Sequence, residues 1–269
     1  MRKRLVVSLA VAAAAFLVLA GCMSFDVGSA IGKQIAPQPQ QQPAAQPAPS
    51  GQAQPAAQPA AQPAGPGAAY AYQMQFGAFY SGFWSMGWFG YKDGGYKDGQ
   101  GTIWKFTSSR DNKPVTFERA LLKTNADSTQ WWRFKLDTDK QSILYEFLVG
   151  PDGYATKVRY KDPDSGAVQE FVPDKGQQSQ PSGTHVPSRE EYAKYKVDSQ
   201  TVKVQAGSFA TDHYLYTDPQ SSGSVESWVS MTVPGYMVKS IYTNKKNNQT
   251  SNGELIQIES GVSTALGSY

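Results

Sequence analysis

Few side chains in this sequence suit covalent or acid–base chemistry. The chain of 269 residues contains one cysteine, Cys22, and two histidines, His185 and His213. A metal site normally takes three or four histidine, cysteine or carboxylate ligands, and no such cluster is visible. Asp212 precedes His213 in a strand-like run, so the two side chains point to opposite faces and cannot form a catalytic pair. No nucleophile elbow, P-loop or zinc-protease motif occurs. We therefore predict no metal, no cofactor and no catalytic residue, and an enzyme is the least favoured interpretation.

A short repeat offers one further possibility for chemistry. Tyr91-Lys92-Asp93-Gly94 is followed by Tyr96-Lys97-Asp98-Gly99. Two carboxylates at this spacing are compatible with calcium, but the further oxygen ligands of a calcium loop are missing. Two successive Asp-Gly turns are the favoured interpretation.

The single cysteine ends a segment of three parts. Arg2, Lys3 and Arg4 form a basic start, Leu5 to Leu19 form an apolar run, and Leu19-Ala20-Gly21-Cys22 closes it. This pattern is typical of a secretory signal. The apolar run is shorter than the roughly 20 residues of a membrane-spanning helix, so a retained helix is the weaker alternative.

Leu19-Ala20-Gly21-Cys22 resembles the lipobox of bacterial lipoproteins. The resemblance implies cleavage before Cys22, diacylation of its sulfur and acylation of its new amino group. More than one acyl chain gives stable anchoring in a membrane. An ordinary secreted protein with an unused cysteine is the alternative. In that family an acidic residue after the cysteine signals retention in the inner membrane. Met23 is not acidic, so the resemblance implies the outer membrane. We expect the protein to face the periplasm, but no residue decides between the two faces of that membrane.

The segment that follows has the composition of a tether. From Ala36 to Gly67 the sequence is almost entirely Ala, Gln and Pro, and it contains nine of the 17 prolines. Such a segment cannot bury enough apolar surface to fold. Residues 22–67 are therefore predicted to be a disordered tether that reaches on the order of 100 Å when extended. A proline-rich ligand is the alternative, but basic residues flanking a PxxP motif are missing.

The charge balance excludes one class of partner. Removing the three basic residues of the signal from 25 leaves 22, which equals the number of acidic residues. A formal net charge of zero argues against nucleic acid or an anionic membrane surface as a partner recognised by bulk charge.

Residues 68–269 are predicted to form one mainly β domain. Apolar and polar residues alternate in runs such as Thr102 to Thr107, Trp132 to Asp137, Tyr154 to Lys161 and Thr201 to Gln205. The alternation predicts half-buried antiparallel strands, with Tyr154, Thr156, Val158 and Tyr160 on one face of their strand. About eleven strands are expected, near 101–108, 114–121, 129–137, 142–149, 154–162, 167–172, 198–206, 208–217, 224–231, 236–243 and 253–260.

Turn signals separate these strands. Pro151-Asp152-Gly153, Pro234-Gly235 and Asn252-Gly253 are predicted to be tight turns. Short connections favour a meander, and a sheet of eleven strands must curl or close. The fold class is therefore a curled antiparallel sheet, an open half-barrel in two halves, 101–172 and 198–260.

Two helices accompany the predicted sheet. Tyr72, Phe76, Phe79, Tyr80, Phe83 and Trp84 fall at helical spacing and predict an aromatic helix over about 70–85, with a glycine-rich strand as the alternative. We expect its aromatic face to pack on the concave side of the sheet rather than to contact a membrane or a lipid. Ser188-Arg189-Glu190-Glu191 is a capping box that predicts a short helix through Tyr195.

The second half of the domain carries a further resemblance. Ala206-Gly207-Ser208-Phe209, Trp228-Val229-Ser230, Val233-Pro234-Gly235 and Val238-Lys239 resemble a pattern in exported bacterial proteins and lipoproteins. Their domains are similar in shape to the periplasmic lipoprotein carrier and the outer-membrane lipoprotein receptor. The resemblance implies an open half-barrel around a hydrophobic cavity plugged by helices.

These features lead to one main hypothesis and one alternative. The first is an anchored, non-enzymatic binding module for a lipid or another apolar ligand. The residues expected to line its pocket are Trp104, Phe106, Trp132, Phe134, Val158, Tyr160 and Trp228. The alternative is a structural or protein-interaction lipoprotein of the cell envelope, whose barrel is filled by its own side chains.

Overall fold

The computed structural model describes residues 72, 75–77, 79–80, 83–84, 94–162, 165–178, 192–217 and 223–269. The described residues form eleven β-strands, in close agreement with the predicted number and positions. The strands are β1 (Gln100–Ser108), β2 (Pro114–Thr124), β3 (Gln130–Asp137), β4 (Ser142–Val149), β5 (Ala155–Lys161), β6 (Val168–Phe171), β7 (Lys196–Val204), β8 (Gly207–Thr217), β9 (Gly223–Val229), β10 (Met237–Asn244) and β11 (Gln249–Glu259).

All eleven strands belong to one antiparallel sheet that is curled but not closed. Its order is β6-β5-β4-β3-β2-β1-β11-β10-β9-β8-β7. Each half is a meander, as expected, but the halves join through their first and last strands, β1 and β11. Strands β6 and β7, which are closest in sequence to the mid-chain break, therefore lie at the two edges of the sheet.

The two faces of the sheet differ in composition. Trp104 and Phe106 of β1, Phe117 of β2, Phe134 of β3 and Phe147 of β4 belong to one buried cluster. We call the face that carries this cluster the inner face, and the opposite one the outer face. The neighbours of these residues in sequence point outward because side chains alternate along a strand. The alternation that predicted the strands therefore also separates the two faces correctly.

The predicted alternation is wrong at the start of β5. Val158 and Tyr160 are buried on the inner face, but Thr156 is exposed and Ala155 is buried. The ladder with β4 shifts there, because Leu148 pairs with Lys157 and the next residue pairs with Ala155. This β-bulge inserts one residue and reverses the faces on its two sides.

The predicted turn at Asn252-Gly253 is also wrong. Both residues lie inside β11, and Gly253 pairs with Phe106 of β1. A Cβ atom at Gly253 would overlap the Phe106 ring and lie 2.7 Å from Ser240 Oγ. Glycine is needed here for close side-chain approach, not for a turn. The β10–β11 turn lies earlier, and Asn248 in that turn has φ of 53°.

Helical residues occur where the aromatic helix was expected. Residues 72, 75–77, 79–80 and 83–84 are helical, and we call this segment α1. Of the mid-chain helix, Tyr192 and Ala193 are helical, and the capping box itself lies outside the described residues. A short 3-10 helix, Lys175–Gln177, follows β6.

Candidate functional site

The inner face of the first half of the sheet is a continuous aromatic surface. Six of the seven residues predicted to line a pocket belong to its buried cluster. These six are Trp104, Phe106, Trp132, Phe134, Val158 and Tyr160, each at most 5% exposed. Neighbouring strands place them side by side, because residues directly opposite each other in a ladder share one face.

Helix α1 covers this surface with its own aromatic side chains. Phe76, Tyr80, Phe83 and Trp84 are each at most 3% exposed. The Phe83 ring packs edge-on against Trp132, with centroids 5.5 Å apart, and against Phe147 at 5.0 Å. Edge-to-face contacts of this kind are favourable beyond the area that they bury. The prediction that the aromatic face packs on the sheet is therefore confirmed.

Polar contacts fix the position of α1 on the inner face. Tyr145 of β4 donates a hydrogen bond to Gln75 Oε1 at 2.8 Å. Tyr80 of α1 donates to the carbonyl of Gly153, in the β4–β5 turn, at 2.6 Å. Burial holds the pKa of the Tyr145 hydroxyl far above its ordinary value, so this group stays protonated and remains a donor. These two bonds orient α1 on the aromatic surface.

A buried arginine lies under the far end of α1. Arg119 of β2 is 1% exposed on the inner face. Its guanidinium donates to the carbonyl of Phe83 at 3.1 Å and to the Tyr96 hydroxyl at 3.2 Å. The guanidinium carbon also lies 4.9 Å from the centroid of the Tyr96 ring and 5.9 Å from that of Trp132. Aromatic faces stabilise a cation in such a position.

Arg119 was missed by the sequence reasoning, although a signal was present. Phe117, Arg119 and Leu121 occupy successive inner positions of one strand. A charged residue between two apolar core positions is unusual, because burying a charge is costly unless it is hydrogen-bonded. That break in the alternation identifies Arg119 without the structure.

The seventh predicted lining residue, Trp228, is not on the inner face. Glu254 follows Gly253 and precedes Leu255, both buried, so its side chain points outward. Lys239 is directly opposite Glu254, and Trp228 is directly opposite Lys239. Trp228 therefore shares the outer face with these charged residues, away from the other six.

Trp228 takes part in a compact outer-face cluster around His213. The two rings are stacked, with centroids 4.5 Å apart and planes 3° from parallel. His213 Nδ1 lies 3.5 Å from a carboxylate oxygen of Asp198, and Nε2 lies 3.3 Å from one of Glu226. Partners for His213 thus come from the neighbouring strands β7 and β9 rather than from Asp212.

The outer face of β2–β5 is covered by the C-terminal segment of the chain. Residues 260–269 follow β11 and run back across this face, and we call them the strap. Val262 packs against the outer-face cluster of Ala120, Leu122 and Trp131. Leu266 of the strap is 3% exposed. No local pattern in the sequence indicates this contact.

Other features of the described residues bear on chemistry and on membranes. No three His, Cys, Asp or Glu side chains within the described ranges are grouped as ligands of a metal ion. Asp98 of the short repeat accepts hydrogen bonds from the amide and hydroxyl of Thr124.

No helix in this part of the chain is long and apolar enough to cross a membrane. Cys22 and the tether lie outside the described residues, so their assignments remain predictions.

Comparisons with known proteins give likenesses of low sequence identity. No protein-family profile matches the chain, and no curated protein matches it. Among solved structures, the chain is similar to one from the MucA/MucB complex of Pseudomonas aeruginosa, with 16% identity, a TM-score of 0.37, and coverage of 62% of this chain and 54% of that chain. It spans about half the length of the MucB structures.

Two smaller structures are covered almost completely. A protein with a YmcC-like fold from Bacteroides fragilis is 12% identical, with a TM-score of 0.32 and coverage of 61% of this chain and 97% of that chain. A domain from Vibrio parahaemolyticus, described as belonging to outer-membrane lipoprotein sorting, is 10% identical, with a TM-score of 0.26 and coverage of 62% and 87%. At these values, function has to be inferred from the residues of this chain.

Proposed function

We propose that the chain is a lipoprotein anchored to the outer membrane through Cys22, whose sheet is a non-enzymatic binding module for a lipid or another apolar ligand. One observation carries the proposal: α1 covers the aromatic inner face of β2–β5 with its own aromatic side chains. Gly77, inside that helix, is buried, and glycine at a helical position costs about 1 kcal/mol relative to alanine. An apolar ligand binds by replacing the side chains of α1 on this face.

The test is the non-covalent lipid content of the mature chain. The chain is produced from residue 22 onward with Cys22→Ser, so that any lipid detected by native mass spectrometry is not covalently attached. Phe83→Ala weakens the cover, and we expect it to raise uptake of phospholipid from vesicles by at least about tenfold, because fewer contacts have to be displaced.

Trp228→Ala is the matched control for this experiment. Trp228 is an aromatic residue of similar burial on the outer face, so its removal is expected to leave uptake unchanged. If Trp228→Ala abolished lipid uptake and Phe83→Ala did not change it, the ligand would bind the outer face, which would contradict this proposal.

A second function is favoured by the burial of α1. Phe76 and Phe83 are 1% and 0% exposed, so the inner face is filled by the chain's own side chains. In this interpretation the sheet is a structural or protein-interaction module, and the ligand is a protein that binds elsewhere. A chain that stays free of lipid with and without Phe83→Ala would favour this function over the first.

A further inference from the structure

The strap binds the outer face through groups that recognise a peptide main chain. Glu146 of β4 is 0% exposed and accepts from the amides of Ala265 at 2.7 Å and Leu266 at 3.3 Å. It also accepts from the hydroxyl of Thr264. A carboxylate buried with this set of donors is fully hydrogen-bonded, which is the condition for burying a charge at acceptable cost.

Two arginines bind the carbonyl groups of the same segment. Arg133 of β3 donates to the carbonyl of Ser263, and Arg159 of β5 donates to that of Ser268 at 2.6 Å. Arg133 also forms an ion pair with Glu146 at 3.0 Å. The site thus offers acceptors to the amides of the strap and donors to its carbonyls, across three neighbouring strands.

The end of the strap is held by aromatic and cationic contacts. Tyr269 packs against Trp131, with ring centroids 6.4 Å apart, and Lys123 Nζ lies 5.1 Å from the Tyr269 centroid. Arg159 stacks on the same Trp131 ring, with its guanidinium carbon 4.3 Å from the ring centroid. These contacts fix the position of the strap along the sheet.

The residues that bind the strap alternate with those that bind α1. Arg133 lies between Trp132 and Phe134, and Glu146 lies between Tyr145 and Phe147. Adjacent side chains in a strand point to opposite faces. The strap and α1 therefore contact the same strands, β3 and β4, on opposite faces and at adjacent residues.

We propose that the strap is a peptide clasp on the outer face that sets how tightly the inner face holds α1. The outer face of β3–β5 is a binding site for an extended peptide, filled here by residues 263–269 of the same chain. Release of the clasp loosens the strand positions of Trp132 and Phe147 and weakens the docking of α1. The inference rests on the proposed function only for its purpose, since α1 covers the proposed ligand face.

Amide hydrogen exchange of the full mature chain tests the coupling. Ala265→Pro removes the amide that donates to Glu146, and Ala265→Ser is the matched control that keeps it. We expect Ala265→Pro to speed exchange at the helical amides of 75–77, 79–80 and 83–84 by at least about fivefold, the lower end of measured couplings. We expect Ala265→Ser to leave the exchange rates of these α1 amides unchanged. In Ala265→Pro itself, we expect the amides of β9 and β10 to exchange at their normal rates.

A rescue experiment separates the clasp from a general loss of stability. The chain truncated after Val262 is mixed with a synthetic peptide of residues 263–269, and the peptide is expected to restore slow exchange in α1. The same peptide with proline at the position of Ala265 is expected not to restore it. No ligand is present in either experiment, so a failure here is distinct from a failure of the lipid test.

Two results would overturn the proposal. One is unchanged exchange in α1 when the strap amides themselves exchange freely. The other is complete loss of cooperative folding with Ala265→Pro, which would make the strap part of the core rather than a clasp.

Discussion

Strands β2 to β5 are buried on both faces, but by different kinds of contact. On the inner face, the Phe147 ring lies 5.5 Å from that of Phe76 and 5.0 Å from that of Phe83. On the outer face, the neighbouring Glu146 is held by Arg133 and by amides of the strap. Apolar packing tolerates exchange of one apolar partner for another, whereas a buried carboxylate requires specific donors. The inner face therefore places few chemical demands on an apolar partner, whereas the outer face requires a partner that supplies main-chain donors.

The largest effect is expected from the inner face. Phe147→Ala removes a ring that is 1% exposed and touches three aromatic rings of α1. We expect a loss of about 3–5 kcal/mol in the free energy of unfolding, measured by urea denaturation. Leu148→Ala, on the outer face of the same strand and only half-buried, is the control and should cost less. Equal losses at the two positions would remove the distinction between the faces.

The next effect concerns the carboxylate of the outer face. Glu146→Gln keeps the shape of the side chain but removes its charge, and we expect a loss of about 2–4 kcal/mol in the same measurement. The control is Glu170→Gln, because Glu170 is 44% exposed in its ion pairs with Lys157 and Arg159. Exposed pairs contribute little, so this change should cost less than about 1 kcal/mol. If Glu146→Gln lost no more stability than Glu170→Gln, the charge of the Glu146 carboxylate would not be needed to bind the strap.

Close packing on the inner face of the second half predicts a smaller loss. Gly253→Ala adds a methyl group where Phe106 and Ser240 already meet. We expect a loss of about 1–3 kcal/mol from overpacking, again measured by denaturation. Asn252→Ala, one residue away and exposed, should change stability by no more than about 0.5 kcal/mol. If Gly253→Ala were neutral, the inner face would have room that the geometry does not show.

The smallest effect is a pH dependence on the outer face. Burial is the main cause that raises the pKa of the Glu118 carboxyl, while Arg133 acts in the opposite direction. A raised pKa means that the folded state binds the proton more tightly than the unfolded chain does. The protonated Glu118 carboxyl therefore stabilises the fold fully at pH values below the ordinary pKa of a carboxyl group. This stabilisation is lost as the pH rises through the raised pKa of Glu118.

Glu118→Gln tests this sign because it imitates the protonated carboxyl at every pH. Its stability relative to the natural chain should rise between about pH 4 and pH 7, by no more than about 1 kcal/mol because the ion pair with Arg133 is lost as well. Denaturation midpoints at several pH values measure the difference. A relative stability that falls over this range would show that the ion pair outweighs the burial.

Much of the fold was predictable, for reasons that particular residues show. Trp132, Phe134 and Leu136 alternate with charged residues, and each was placed correctly as buried because a half-buried strand has a period of two. The prediction was wrong at Thr156 and at Gly253. A bulge and a close cross-strand contact both depend on the partner strand, which local sequence does not contain.

The candidate site was predictable on the inner face alone. Alternation and helical spacing placed six of the seven residues together on one buried face and identified the aromatic cover, while the role of these residues in lining a pocket stays a prediction. Trp228 was misplaced because alternation tells which residues share a face but not which of the two faces is inner. Arg119 is recognisable in the sequence as a charged residue at a position where the alternation predicts a core side chain.

Local sequence is enough to predict the number of strands, their alternation, the aromatic helix and a lipid anchor at Cys22, because each depends on residues that are close together in the chain. Three contacts are visible only in the folded chain: β1 pairs with β11, Trp228 stacks on His213 away from the core, and the strap binds Glu146. Each of these contacts joins residues that are distant in sequence. Their geometry is set by strand register and sheet curvature, and a local pattern of hydrophobic and polar residues does not encode either one.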